Sequence, residues 1–119
     1  MEIVKYVGLL LFAVPFVLSG VAHLTQRTAM AGYAEFKGVP FPMFSTIATG
    51  VLLIVAPILV IVGVIPQIAL GLLALFLVVT AFKMHDFWDT PGESKQTEQI
   101  NFNKNIGLAG AALAILALL

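Results

Sequence analysis

Long apolar runs separated by short polar clusters organise this chain. From Ile3 to Ala22 the run is broken only by Lys5, Tyr6 and Ser19. From Gly50 to Phe82 the only polar side chains are Gln67 and Thr80. One helix over those 33 residues would be about 50 Å long at 1.5 Å per residue, too long for a hydrocarbon core of about 30 Å. The segment "VGVIPQ", Val62 to Gln67, supplies the break, because glycine suits a helix C-terminus and proline the first turn of the next helix. A last apolar run ends the chain. The pattern predicts four membrane spans, over about residues 3–24, 43–62, 67–84 and 102–119. In lipid every backbone N–H and C=O needs an internal partner, and helices provide it. Pro15 and Pro57 fall inside the first two spans. Each removes a donor and frees a carbonyl one turn earlier, near Leu11 and Leu53, which predicts packed kinks.

The connections are more polar. "TQRTAMAGYAEFK", Thr25 to Lys37, puts Ala29, Met30, Tyr33 and Phe36 on one face at spacings of three and four, with Gly38 following as a cap. This predicts a short interfacial helix on the membrane surface. "VPFPM", Val39 to Met43, is expected to be extended, since a residue before proline avoids the helical region. The connection from Asp86 to Ile100 holds "DTPGES", a turn sequence. The expected fold is all-α. It is a single domain, residues 1–119, forming an integral membrane four-helix transmembrane bundle with a short interfacial helix between spans one and two.

Composition agrees. Hydrophobic residues make up 61% of the chain and charged residues only 10%, where soluble domains have about a quarter charged. The net charge is zero, and no basic stretch is dense enough to hold nucleic acid. There is no cysteine, so disulfides, thiolate metal sites and thiol catalysis are excluded. Lys5 before an apolar stretch imitates a signal peptide, but no small-x-small cleavage site follows. It reads as a retained first helix. Arg27, Lys37, Lys83, Lys95 and Lys104 fall on the side of the long connections and only Lys5 with the termini. The positive-inside rule then puts the connections in the cytoplasm and both termini outside, in a multi-pass protein of the cell (inner or plasma) membrane.

One stretch, "TAFKMHDFWDT", crowds Lys83, His85, Asp86, Trp88 and Asp89 at the end of span three. Part of it is what a membrane boundary asks for: Phe87 and Trp88 suit an aromatic belt, and Lys83 can snorkel to headgroups. The topology also brings His23, at the end of span one, to the same membrane face, together with Asn101, Asn103, Lys104 and Asn105 at the start of span four. Polar groups at a bundle end are costly unless paired, which makes this set the candidate ligand site. Asp86 and Lys104 could tune His85, whose type titrates near neutrality. Histidine, asparagine and lysine are donors of the kind a quinone's carbonyls accept, and an apolar slot would hold its tail. Two histidines and a carboxylate match no compact metal motif, so no metal is expected. Gly107, Gly110, Ala111, Ala114 and Ala117 form a small-residue stripe, suited to close packing within the bundle or, alternatively, to a homo-oligomer face. Ser19 and Gly20, and Thr46, Thr49 and Gly50, offer similar close-approach positions.

The order "SGVAHL" (Ser19 to Leu24), "KGVPFP" (Lys37 to Pro42), "MHDFW" (Met84 to Trp88) and "NFNKNIGLAG" (Asn101 to Gly110) resembles the DoxX family of small membrane proteins. The likeness covers essentially the whole chain and implies a four-helix transmembrane bundle. The family is named for its similarity to the small membrane subunit of an archaeal thiosulfate:quinone oxidoreductase. The resemblance implies that His23, His85, Asn103, Lys104 and Asn105 match the family's polar positions. Span two lacks the acidic residue that members often carry there, and only Lys5 could stand for a frequent early arginine.

The leading expectation is a membrane subunit of a quinone-linked oxidoreductase, not an enzyme by itself. It would work with a soluble or membrane partner subunit, because the chain has no cysteine and no transmembrane histidine pair to hold common redox centres. The alternatives are a non-catalytic scaffold, with Asp89, Glu93 and Glu98 as contact residues, and a small-molecule or lipid carrier. Alternating access fits poorly with four helices that show no inverted repeat.

Overall fold

A computed structural model describes the whole chain, residues 1–119. It contains helices α1 (Glu2–Thr25), α2 (Arg27–Phe36), α3 (Pro42–Val62), α4 (Pro66–Met84) and α5 (Ser94–Leu118), with a single 3-10 turn at Phe87–Asp89 between the last two. There are no strands. The break between α3 and α4 falls where the sequence puts it. Gly63 takes the left-handed conformation at φ 78°, and the Val64 N–H donates to the Leu59 carbonyl, closing α3. Pro66 then opens α4.

Only 21 of the 119 residues are buried. The core comprises Leu9 and Phe16 of α1, Leu53, Ala56 and Val60 of α3, Ala69, Leu70, Leu73, Ala74 and Leu77 of α4, and Ala109 and Ala112 of α5. Large apolar side chains such as Leu11, Leu18, Ile58 and Leu75 remain exposed around it. An apolar surface this extensive suits hydrocarbon, not water. The helices beginning at Glu2, Pro42 and Pro66 are each long and apolar enough to cross a membrane. α5 does not reach that standard, because Asn101, Asn103, Lys104 and Asn105 occupy its first half. Its uniformly apolar part, Ile106 to Leu118, covers about 20 Å.

The helices pack in chain order: α1 on α3, α3 on α4, α4 on α5, with α2 against α3. α1 and α5 share no extensive interface, and the molecule is flattened, 45 × 27 × 19 Å. The tightest crossing joins α1 and α3. A Cβ built on Gly20 would lie 2.7 Å from the Gly50 carbonyl oxygen, and one on Gly50 would lie 2.7 Å from His23 Cβ. Backbones this close require glycine at both positions.

Three expectations change. Phe41 is not extended: it adopts φ 48°, ψ 60°, and Pro42 already begins α3. Ile65, also followed by proline, does the same at φ 42°. Both meet the pre-proline restriction by turning left-handed, which costs a non-glycine residue about 1–2 kcal/mol. Next, α5 starts two turns earlier than expected, at Ser94, so the connection after α4 is short. Finally, the small-residue stripe does not pack inside the bundle. Nothing lies within 4 Å of a Cβ at Gly107 or Gly110, and Ala114 and Ala117 are exposed. Ala109 and Ala112 make the close contact instead.

Candidate functional site

At one end of the helices a cavity of about 780 Å³ opens between α1, α2, α3, α4 and α5. Its deeper wall is apolar, with Phe16, Leu53, Phe76, Leu77 and Leu108. Its outer part is polar, with His23, Thr46, Thr49, Lys83, His85, Lys104 and Asn105. α2 covers it with Met30, Tyr33 and Ala34.

His23 is held by α3. Its Nδ1 lies 3.2 Å from the Thr46 carbonyl oxygen and 3.1 Å from Thr49 Oγ1. The Thr49 hydroxyl donates its own hydrogen to the Ser45 carbonyl at 2.7 Å. Both groups facing Nδ1 are therefore acceptors, and Nδ1 must carry the hydrogen. In the neutral ring Nε2 is then a bare acceptor, with no partner in the protein. The contact at Gly50 is what lets His23 approach this closely.

Asn105 and Thr46 are the most buried polar residues facing the cavity, each 5% exposed. The Asn105 amide makes no hydrogen bond within the protein, yet neither its nitrogen nor its oxygen is sealed off, so it reaches the cavity. Such an amide is expensive to leave unpaired and well suited to a ligand. Lys83 and Lys104 also line the cavity, and neither forms an ion pair; the carboxylates nearby are taken by Lys37, on Asp86, and by the His85 ring, on Glu98.

The nearby acids are engaged. Glu98, at the start of α5, accepts from Tyr33 Oη (3.3 Å) and Asn101 Nδ2 (3.4 Å) and pairs with His85 Nδ1 at 3.4 Å. Lys37 Nζ donates to Asp86 Oδ1 and lies over the Tyr33 and Phe36 rings. The hydrogen bond from Lys37 holds the Asp86 carboxyl below its usual range, and the same bond raises Lys37. Burial first, then the Glu98 carboxylate, pushes the Tyr33 phenol up. The two polar links, Lys37 to Asp86 and Tyr33 to Glu98, fasten α2 to the segment after α4 and to the start of α5, and so fix the cavity's cover.

Of the candidate residues, His23, His85, Lys104 and Asn105 meet at the cavity. Asn101 stands behind, on Glu98. Asn103 is exposed and does not line the cavity. Asp86 serves Lys37, so it is Glu98, not Asp86, that pairs with His85. Trp88 sits in a cluster with Phe82, Phe87 and Phe102, at centroid distances of 6.0, 5.3 and 5.7 Å, which seals the α4–α5 junction outside the cavity. No three histidine or carboxylate side chains converge as a metal would need. Thr46, Thr49, Tyr33 and Glu98 were missed. For Glu98 a signal existed: it stands three residues before Asn101 and seven before Asn105, one helix face if α5 begins early enough.

Fold and cavity together define a helical membrane protein with an amphipathic pocket at one end. The DoxX family model matches residues 7–86, and the chain belongs to the DoxX family. It is 29% identical over 100 residues to the inner membrane protein YphA of Escherichia coli (strain K12), an alignment covering 84% of this chain and 71% of that one. No solved structure matches it.

Proposed function

We propose that the cavity binds the ring of a membrane quinone, and that the chain serves as the small membrane subunit of a quinone-linked oxidoreductase system. The observation that carries this reading is the unpartnered Asn105 amide facing an amphipathic cavity. Asn105 and Lys104 provide donors for ring carbonyls, and the apolar wall of Phe16, Leu53 and Phe76 takes the first part of a tail. The residues present suit such a diffusible substrate. Electrons would come from a partner subunit, since this chain lacks cysteine and no metal-binding cluster forms.

In this reading α5 is the fourth crossing, with its polar first half in the cytoplasmic interface. α2 lies on the same membrane surface as the cover of the site. Both termini face away from the cytoplasm across the inner membrane, in keeping with the basic residues at the cavity end. The scaffold alternative loses one of its handles, because Glu98 is committed to Tyr33, His85 and Asn101. The test is calorimetric titration of decyl-ubiquinone into detergent-solubilised protein. Saturable binding weakened at least tenfold by Asn105→Leu supports the site; equal binding by both folded proteins rejects it.

A further inference from the structure

The two polar walls of the cavity differ in what they offer. Lys104 can only donate, and the Asn105 amide can donate or accept. His23 is different. Its Nδ1 hydrogen is fixed on the Thr46 carbonyl and Thr49 Oγ1, whose own hydrogen goes to the Ser45 carbonyl. The neutral ring then presents Nε2 as an acceptor only. The same two contacts, at 3.2 and 3.1 Å, hold the ring against α3. Nothing else in the protein donates to Nε2.

An oxidised quinone has carbonyl oxygens and no O–H. Set against Nε2, a carbonyl brings two acceptors together and leaves both desolvated without a partner. The hydroquinone has O–H groups, one of which can donate to Nε2. We propose that the cavity holds the reduced, hydroxyl-bearing ring more tightly than the oxidised one, through a hydrogen bond from a ring hydroxyl to His23 Nε2. This rests on the quinone reading above and adds which form the site favours and which residue decides it. His23 is thus the residue that discriminates between redox states, while Asn105 and Lys104 serve both. A site of this kind retains product after reduction, so release of the hydroquinone becomes a slow step.

The experiment compares decyl-ubiquinone, its hydroquinone kept reduced under argon, and the hydroquinone dimethyl ether, each titrated into the detergent-solubilised full chain. The expected result is that wild type binds the hydroquinone about fivefold more tightly than the quinone, the ratio given by one net hydrogen bond. The ether, with no hydroxyl hydrogen, loses that gain. In His23→Phe the hydroquinone and quinone affinities become equal. The ether comparison uses wild type alone and so stands if His23→Phe does not fold. Equal affinity for quinone and hydroquinone in wild type, or a preference that survives His23→Phe, overturns the proposal and leaves the quinone site standing. Absence of saturable binding by either form overturns both.

Discussion

Replacing Gly50 by alanine should damage the molecule at the contact that also positions the site. The new Cβ would lie 2.7 Å from His23 Cβ, 3.2 Å from the Gly20 carbonyl oxygen and 3.2 Å from Leu24 Cδ2. Leu24 can rotate away, but the other two atoms are backbone or fixed to it. Carbon atoms rest at about 3.5–4.0 Å, so α1 and α3 must separate by about 1 Å. Overpacking of this kind costs about 1–3 kcal/mol. Gly20→Ala meets a second rigid obstacle, the Gly50 carbonyl oxygen at 2.7 Å, and should cost about as much. Gly107→Ala and Gly110→Ala meet nothing within 4 Å and should be neutral, or stabilising by about 0.5–1 kcal/mol through reduced chain entropy. Reversible unfolding in mixed micelles with rising sodium dodecyl sulfate, followed by circular dichroism, reads all four. If Gly50→Ala unfolds at the wild-type midpoint, or Gly107→Ala loses as much as Gly50→Ala, the described crossing is wrong.

Other consequences are open to direct measurement. The Lys37–Asp86 pair should contribute about 1 kcal/mol or less. Asp86 is lowered, so its share is complete above about pH 4 and lost as pH falls through the depressed value. Lys37 is raised, so its share is complete below about pH 10 and lost as pH rises through the elevated value. The stability gap between wild type and Lys37→Met should therefore be flat between those limits and shrink outside them. Glu98→Gln removes the negative charge beside Tyr33, so the phenol should titrate lower, read as tyrosinate absorbance with Tyr33→Phe as the reference. Phe102→Ala opens the cluster around Trp88, and tryptophan emission should shift to the red, with a stability loss of about 3 kcal/mol in the unfolding assay. Gly63→Ala forces a methyl group into a left-handed turn and should cost about 1 kcal/mol by the same assay.

The helices were legible because lipid leaves few alternatives. Apolar length gave α1, α3 and α4, and Gly63 with Pro66 gave the turn between the last two. The start of α5 was not legible. Ser94 to Ile100 is polar, and membrane periodicity is silent where a helix runs outside hydrocarbon. That error hid Glu98, which joins Tyr33, His85 and Asn101 only when α5 extends back to it. That His23, His85, Lys104 and Asn105 line one cavity followed from helix order, which sets the end of α1, the end of α4 and the first half of α5 side by side. Which atoms meet did not follow. The partnering of Lys37 with Asp86 joins residues far apart in the chain, and the fixed His23 ring depends on backbone carbonyls that no sequence pattern displays.

The central claim is that this cavity, and not the lipid-facing surface, is where a quinone ring rests. Photolabelling with an azido-quinone in reconstituted vesicles, followed by peptide mapping, tests it most directly. Labels should concentrate on residues around His23, Lys83 and Asn105, and excess decyl-ubiquinone should displace them. Labels spread over exposed apolar positions such as Leu11, Leu18 and Ile58, or insensitive to competitor, would contradict the account.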